Sequence, residues 1–232
     1  MRTRQFVFLA SILVLTTASA AQEPAKLTDY TKVDPKTLDI EPCPVDKDDK
    51  TGFVTGGKNE TVLIAKLPSL AGRTIKSLEK DMRPGVLSRL GFLGKDESLL
   101  EILAADNRFV VETKGLTHQE LGKHMHIVGA VAAKHGLEKP YEFLYHGKKF
   151  KATGKSFPNF VDSPFEDGTR ANHAVVIWNV ATGKTISYSL LVPHLIERYG
   201  FYEGKGTAYR VEPREILEVF DFLAGGKERA KP

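Results

Sequence analysis

The sequence predicts an α+β fold, an antiparallel sheet built on two hairpins and packed against several helices. Three observations carry this expectation. Residues 173–180 are rich in Val, Ile and Trp, 181–184 supply turn chemistry around Gly183, and 185–191 alternate with Ile186, Tyr188 and Leu190 on one side. A second run, YEFLYHGKKFKA over 141–152, turns near His146-Gly147, a pair that accepts a primed turn. Helical patterns precede and follow these hairpins without β-α-β alternation, which disfavours a doubly wound parallel sheet.

The first 21 residues predict export. A charged MRTRQ, an apolar FVFLASILVL and a small-residue TTASAA form a secretory signal peptide with cleavage after Ala20 or Ala21, and the apolar core is too short for a membrane span. Cleavage removes Arg2 and Arg4, so of 33 basic and 29 acidic residues 31 and 29 remain, a net charge of +2. That balance, with no basic stripe, argues against a nucleic-acid partner. Cys43 is the single cysteine, so no intramolecular disulfide forms; in Glu-Pro-Cys-Pro it reads as an incidental linker thiol. No cofactor is implied. Residues 22–58, polar and proline-bearing, read as a linker or extended arm, 59–224 as one globular domain and 225–232 as a disordered tail. Asn59-Glu60-Thr61 is a glycosylation sequon, meaningful only where the source glycosylates its exports.

Within the domain, 61–67 is an apolar run open to strand or helix, closed by Pro68. Ile75, Leu78 and Met82 share a helical face, Pro84-Gly85 interrupt it, and Val86, Leu87 and Leu90 suggest a second short helix before Gly91. Asp96 is the expected N-cap of a helix carrying Leu99, Leu100, Ile102 and Leu103, and Phe109–Val111 the expected short strand. Thr117 and Glu120 form a capping box, Leu121, Met125, Val128 and Ala132 line the core face, and Gly136-Leu137 predicts a Schellman stop. A short helix follows at 192–199 before Gly200, then a minor strand at 209–211 and a last helix with Pro213 at its first position. The strand 173–180 is apolar on both faces, so it is expected to be covered on both.

The histidines do not form a helical zinc signature, because His118 and His124 stand six apart where four is needed. On a helix His124 and His126 point about 200° apart, so no metal site is expected. The turn-rich stretch FVDSPFEDGTRAN over 160–172 is the better candidate. Asp162, Glu166, Asp167, Arg170 and His173 lie close together there; a carboxylate beside an imidazole serves general acid–base chemistry, and Arg170 suits an anionic ligand. Alternatively these are ordinary turn residues with Arg paired for order. The loop 199–209, with Tyr202 and Tyr209 among glycines, has rings that stack on a ligand or close the core. No G-x-S-x-G elbow or phosphate loop occurs. The expected function is therefore an exported non-catalytic binding or interaction module. Its ligand, a small molecule, glycan or envelope protein, would meet Asp162, Arg170, Tyr202 and Tyr209. The alternative is a secreted hydrolase working through Glu166 or Asp167 with His173.

Overall fold

The computed structural model of the chain describes residues 26–39, 64 and 66–223. The expected signal segment, the tail, Cys43 and the sequon at Asn59 lie outside the described residues. The architecture is α+β, with a four-stranded antiparallel sheet in the order β3 (Tyr141–Tyr145), β4 (Lys148–Asp162), β5 (Arg170–Asn179) and β6 (Thr185–Ser189). A small hairpin, β1 (Ser69–Leu70) and β2 (Arg73–Thr74), stands apart from it. Five α-helices occur among the described residues: α1 (Ile75–Asp81), α2 (Leu99–Asn107), α3 (His118–His135), α4 (Val192–Tyr199) and α5 (Pro213–Val219).

Local chemistry sets the turns. His146 at φ 49° and Gly147 at φ 69° make the expected primed turn between β3 and β4, and Gly183 at φ 68° turns β5 into β6. Of residues 26–39, expected as part of a linker or arm, 28–30 lie along the free edge of β3. The Tyr30 N–H donates to the Leu144 carbonyl at 2.9 Å, the Leu144 N–H donates to the Thr28 carbonyl at 2.8 Å, and Tyr30 and Leu38 are buried. That arm pairs an edge otherwise open to other strands.

Helix α3 covers β4 and β5 on one face, and α5 covers β5 and β6. Its expected cap is present, with the Glu120 N–H donating to Thr117 Oγ1 at 3.1 Å. Leu121, Met125, Val128 and Ala132 are buried as expected. Its stop differs: Gly136 has φ −101° rather than the left-handed value of a Schellman motif. Glycine is needed there for closeness, because a Cβ would stand 2.7 Å from the Ala132 carbonyl oxygen and 3.1 Å from that of Ala152.

Helix α4 joins two cores. Val192 and Ile196, one turn apart, face the sheet core, while Leu195 and Tyr199 face a second core built from Leu70, Leu78, Phe92, Leu99 and Phe201. Gly122 lets α3 approach α4 backbone to backbone. A Cβ there would lie 2.8 Å from the Pro193 carbonyl oxygen and 2.9 Å from the Glu197 nitrogen. Gly122→Ala is therefore expected to destabilise by about 1–3 kcal/mol through overpacking. Urea unfolding checks this, and an unchanged midpoint would contradict the close approach.

Five expectations are corrected. Strand β5 is interior, but only Val175, Ile177 and Asn179 are covered; Ala174, Val176 and Trp178 on the other face are half-buried. Residues 108–113 continue α2 as a π-helix rather than forming a strand, because so short an apolar run fits either period. Ser98, not Asp96, caps α2, its side chain accepting from the Glu101 N–H. Residues 83–91 are turns, leaving Val86 55%, Leu87 43% and Leu90 50% exposed. Residues 209–211 are loop, held by Arg210 rather than by a partner strand.

Candidate functional site

Strand β4 runs on to Asp162 and β5 begins at Arg170, so the acidic loop narrows to 163–169. Between Ser156 and Val161 the register shifts. Pro158 lies in the shift, where it has no N–H to contribute to the ladder. The loop closes through the Ser163 N–H donating to the Thr169 carbonyl at 2.8 Å.

The residues expected to form a site there go to different partners. Asp162 and Arg170 face each other in register at the strand ends, both exposed, with the Arg170 guanidinium 4.8 Å from the Phe160 ring centre. Glu166, at φ 56°, accepts from Arg73 Nη1 at 2.7 Å. Arg73 is also bound to Asp81 and Ser77, which makes Glu166 one end of a structural ion-pair network. His173 sits inside β5 opposite Ser156. The imidazole that Asp167 holds is that of His194, with Nε2 2.7 Å from Oδ2. Tyr199 donates to the same oxygen at 2.9 Å and the Thr169 N–H donates to Oδ1 at 2.9 Å. Burial alone would raise the Asp167 carboxyl, but these hydrogen bonds overcome it and hold it far below the usual carboxylate range. The expected acid–base pairing with His173 is thus replaced by an Asp167–His194 pair, which clamps the acidic loop onto α4.

The three histidines of α3 also diverge. His118 is buried between the Tyr202 hydroxyl, 2.9 Å from Nδ1, and Asn107 Oδ1, 3.0 Å from Nε2. Tyr202, expected to meet a ligand, is therefore fully buried and spent on this contact. His124 Nδ1 lies 2.7 Å from the Tyr145 hydroxyl, and His126 Nδ1 lies 3.8 Å from Glu197 Oε2. Burial pushes His126 down to about 4, so its imidazole is neutral near pH 7 and this last contact is not an ion pair there; burial also raises Glu197. Among the described residues no cluster of three or more His, Cys, Asp or Glu is arranged to hold a metal ion.

The 199–209 loop lines a pocket at a different place, with no residue of the 163–169 loop in its lining. This pocket of about 170 Å³ lies between the turn segment 88–92, Val161, Ser189 and Leu191, and the loop carrying Glu203, Ala208 and Tyr209. Leu90, Phe92, Val161 and Leu191 make its lining mainly apolar. Into this wall the chain builds one carboxyl. Gly200, at φ 62°, stops α4 in the left-handed conformation, and the buried Phe201 and Tyr202 lead into Glu203, itself at φ 64° and only 3% exposed. A buried glutamate in the left-handed region is sterically costly for a side chain with a Cβ and is held only by its surroundings.

Those surroundings are explicit. The Glu203 carbonyl accepts from Arg210 Nη1 at 2.7 Å, and the Gly204 N–H donates to the Phe92 carbonyl at 2.7 Å. Gly204 must lack a side chain, since a Cβ would stand 2.1 Å from Glu97 Oε2 and 2.9 Å from Leu93 Cα. Arg210 in turn places Nη1 and Nη2 2.7 and 2.8 Å from the two oxygens of Asp106, a pair 6% and 7% exposed. It spends its other donors on Glu212 at 3.0 and 3.1 Å.

Burial raises Glu203 to about 7, against the hydrogen bonds from Thr207 and the Tyr209 N–H. The geometry agrees with a neutral acid. The Thr207 hydroxyl lies 2.9 Å from both Glu203 Oε2 and the Gly204 carbonyl oxygen, with one proton for two acceptors.

A larger hollow of about 460 Å³ lies between Phe109, Leu116, Leu217 and Leu223. Its charged groups, Lys114, Arg214 and Glu218, are surface side chains, and among the described residues no buried titratable group lines it. The smaller pocket is the stronger candidate because it couples an apolar wall to a buried carboxyl on a constrained backbone. The sequence points to the 199–209 loop through its rings and glycines rather than through its single carboxylate. Glu203 between an aromatic pair and a Gly-x-Gly was the signal available. Comparison of the chain with protein-family models, with curated proteins and with solved structures found no match in any of the three.

Proposed function

We propose that the protein is an exported, non-catalytic binding module that takes a small, largely apolar group into the pocket beside Glu203. The observation that carries this reading is a buried carboxyl, on a left-handed backbone, in the wall of an apolar pocket. Export is supported by the signal-like first 21 residues. Among the described residues no helix is long and apolar enough to cross a membrane. The exposed Leu90 supports the binding reading further, since it extends the lining outward onto the surface.

A fragment screen by thermal shift tests it. A ligand at about 100 times its Kd stabilises the native state by about 2.7 kcal/mol, which raises the Tm by several degrees. Ala208→Phe, which fills the mouth, is expected to abolish the shift while the protein stays folded. A shift that survives this change places binding elsewhere. The second reading, a secreted hydrolase with a carboxylate–histidine pair, is favoured by the 2.7 Å Asp167–His194 contact. It requires hydrolysis of a chromogenic ester that disappears in His194→Ala.

A further inference from the structure

The binding reading leaves open what the carboxyl in the wall is for, and the charges around it narrow the answer. Glu203 is buried to 3% exposure, and its carboxyl faces only the Thr207 hydroxyl and the Tyr209 N–H. Among the described residues no cationic side chain bonds to it, although the charge of Arg210 acts to lower it. The nearest guanidinium, Arg210, is bound through the Glu203 backbone carbonyl and is saturated by Asp106 and Glu212. Arg89, the one cationic residue lining the pocket among the described residues, is exposed at its mouth. Leu90, Phe92, Val161, Leu191 and the half-buried Tyr209 offer apolar contact and an aromatic ring, and Ser88 and Ser189 add two hydroxyls.

A buried acid without a counter-ion is driven toward its neutral form, and a cation delivered beside it restores the ionised form at short range in a poorly screened place. A carboxylate ligand would bring a second acid beside Glu203 and find no buried cation among the described lining residues, Arg89 being exposed. A neutral hydroxyl finds hydrogen-bond partners in Glu203, Ser88 and Ser189 but brings no charge to offset an ionised Glu203. The chemistry that gains most is an ammonium group on an apolar body. Its N–H donors complement the oxygens of Glu203, and its hydrocarbon lies against Leu90, Val161 and Leu191.

Resting on the pocket reading above, we propose that the ligand is an amphiphilic amine, its ammonium seated on the Glu203 carboxylate and its apolar body in the pocket. Binding ionises Glu203, so the proton that Glu203 carries in the free protein leaves to solvent while the amine keeps its own. No bond to carbon, nitrogen or oxygen other than that O–H is broken.

The test uses hexylamine, hexanol and hexanoate as matched probes on the full chain, followed by backbone amide NMR and by calorimetry in buffers of different ionisation enthalpy. Hexylamine is expected to bind at least ten-fold more tightly than hexanol, with hexanoate weakest and perturbations centred on Leu90, Phe92, Glu203 and Tyr209. At pH 6 amine binding is expected to release close to one proton, and hexanol binding none. In Glu203→Gln the amine-to-alcohol affinity ratio should fall to near one. Hexanol binding as tightly as hexylamine, a preference that survives Glu203→Gln, or amine binding without proton release overturns the amine assignment and leaves the pocket reading standing. Failure of all three probes to bind overturns both.

Discussion

Replacing Arg210 with alanine is expected to lower stability by about 3–5 kcal/mol, the range for breaking a buried ion pair from one side. Asp106 would be left with both oxygens unpaired at 7% side-chain exposure. The Glu203 carbonyl would lose its donor at 2.7 Å as well, releasing the strained residue that builds the pocket wall. Burial raises the Asp106 carboxyl even with Arg210 present, and loss of the guanidinium would raise it further. Asp106→Ala is expected to be milder, because Glu212 still holds Arg210 through two bonds. Arg210→Lys should not rescue, since a single ammonium cannot meet two carboxylates and a carbonyl in the planar arrangement seen here. Urea unfolding of the three variants checks the order. A loss under about 1 kcal/mol for Arg210→Ala would be the behaviour of a surface pair and would contradict the burial described.

Acidification is the second large effect. Burial pushes His118, His124 and His126 down to about 4, the last two also under the fields of His146 and His194. Unfolded histidines titrate near 6.5. The folded state therefore resists protonation that the unfolded state accepts, and the contribution is full above 6.5 and lost as the pH falls toward 4. For each histidine that loss reaches up to about 3 kcal/mol. Glu203 acts with the opposite sign. Its unfolded value is 4.5 and its folded value about 7, so it weakens the folded state as pH rises through that interval. Asp106 and Glu197, also raised by burial, act in the same direction. Asp167, held low, loses its contribution only below 3.8. The three histidines should dominate, with unfolding free energy falling by several kcal/mol between pH 7 and 4.5. Glu203→Gln should be more stable than the parent at pH 8 by up to about 3 kcal/mol and should match it near pH 4. A flat profile over this range would contradict neutral, buried imidazoles.

What the sequence made legible was local. Thr117 as a cap, the primed turn at His146-Gly147, Gly183 and the left-handed stop at Gly200 each depend on a few neighbouring residues, and each is present. The antiparallel sheet on these hairpins followed. Errors arose where a tertiary partner decides the outcome. Val86, Leu87 and Leu90 were read as a helical face, but Pro84, Gly85 and Gly91 fold them into turns that leave all three exposed. The apolar outer face of β5 has no helix over it among the described residues, and alternation alone cannot reveal that. The site was hidden for the same reason. Asp167 stands out in the sequence as a candidate carboxylate, yet its imidazole comes from α4 rather than from the adjacent strand. Glu203 becomes conspicuous only when Phe92, Val161 and Leu191 close over it, and nothing in Tyr-Glu-Gly-Lys-Gly announces a left-handed backbone at the glutamate.

The site depends on Glu203 being a neutral acid inside an apolar wall at a pH where ordinary glutamates are ionised. Carbon-13 NMR of protein labelled at the glutamate carboxyl carbon, with Glu203→Gln to assign the resonance, measures that directly. A titration midpoint close to 7 is the expected result, and a midpoint at the ordinary 4.5 would contradict it.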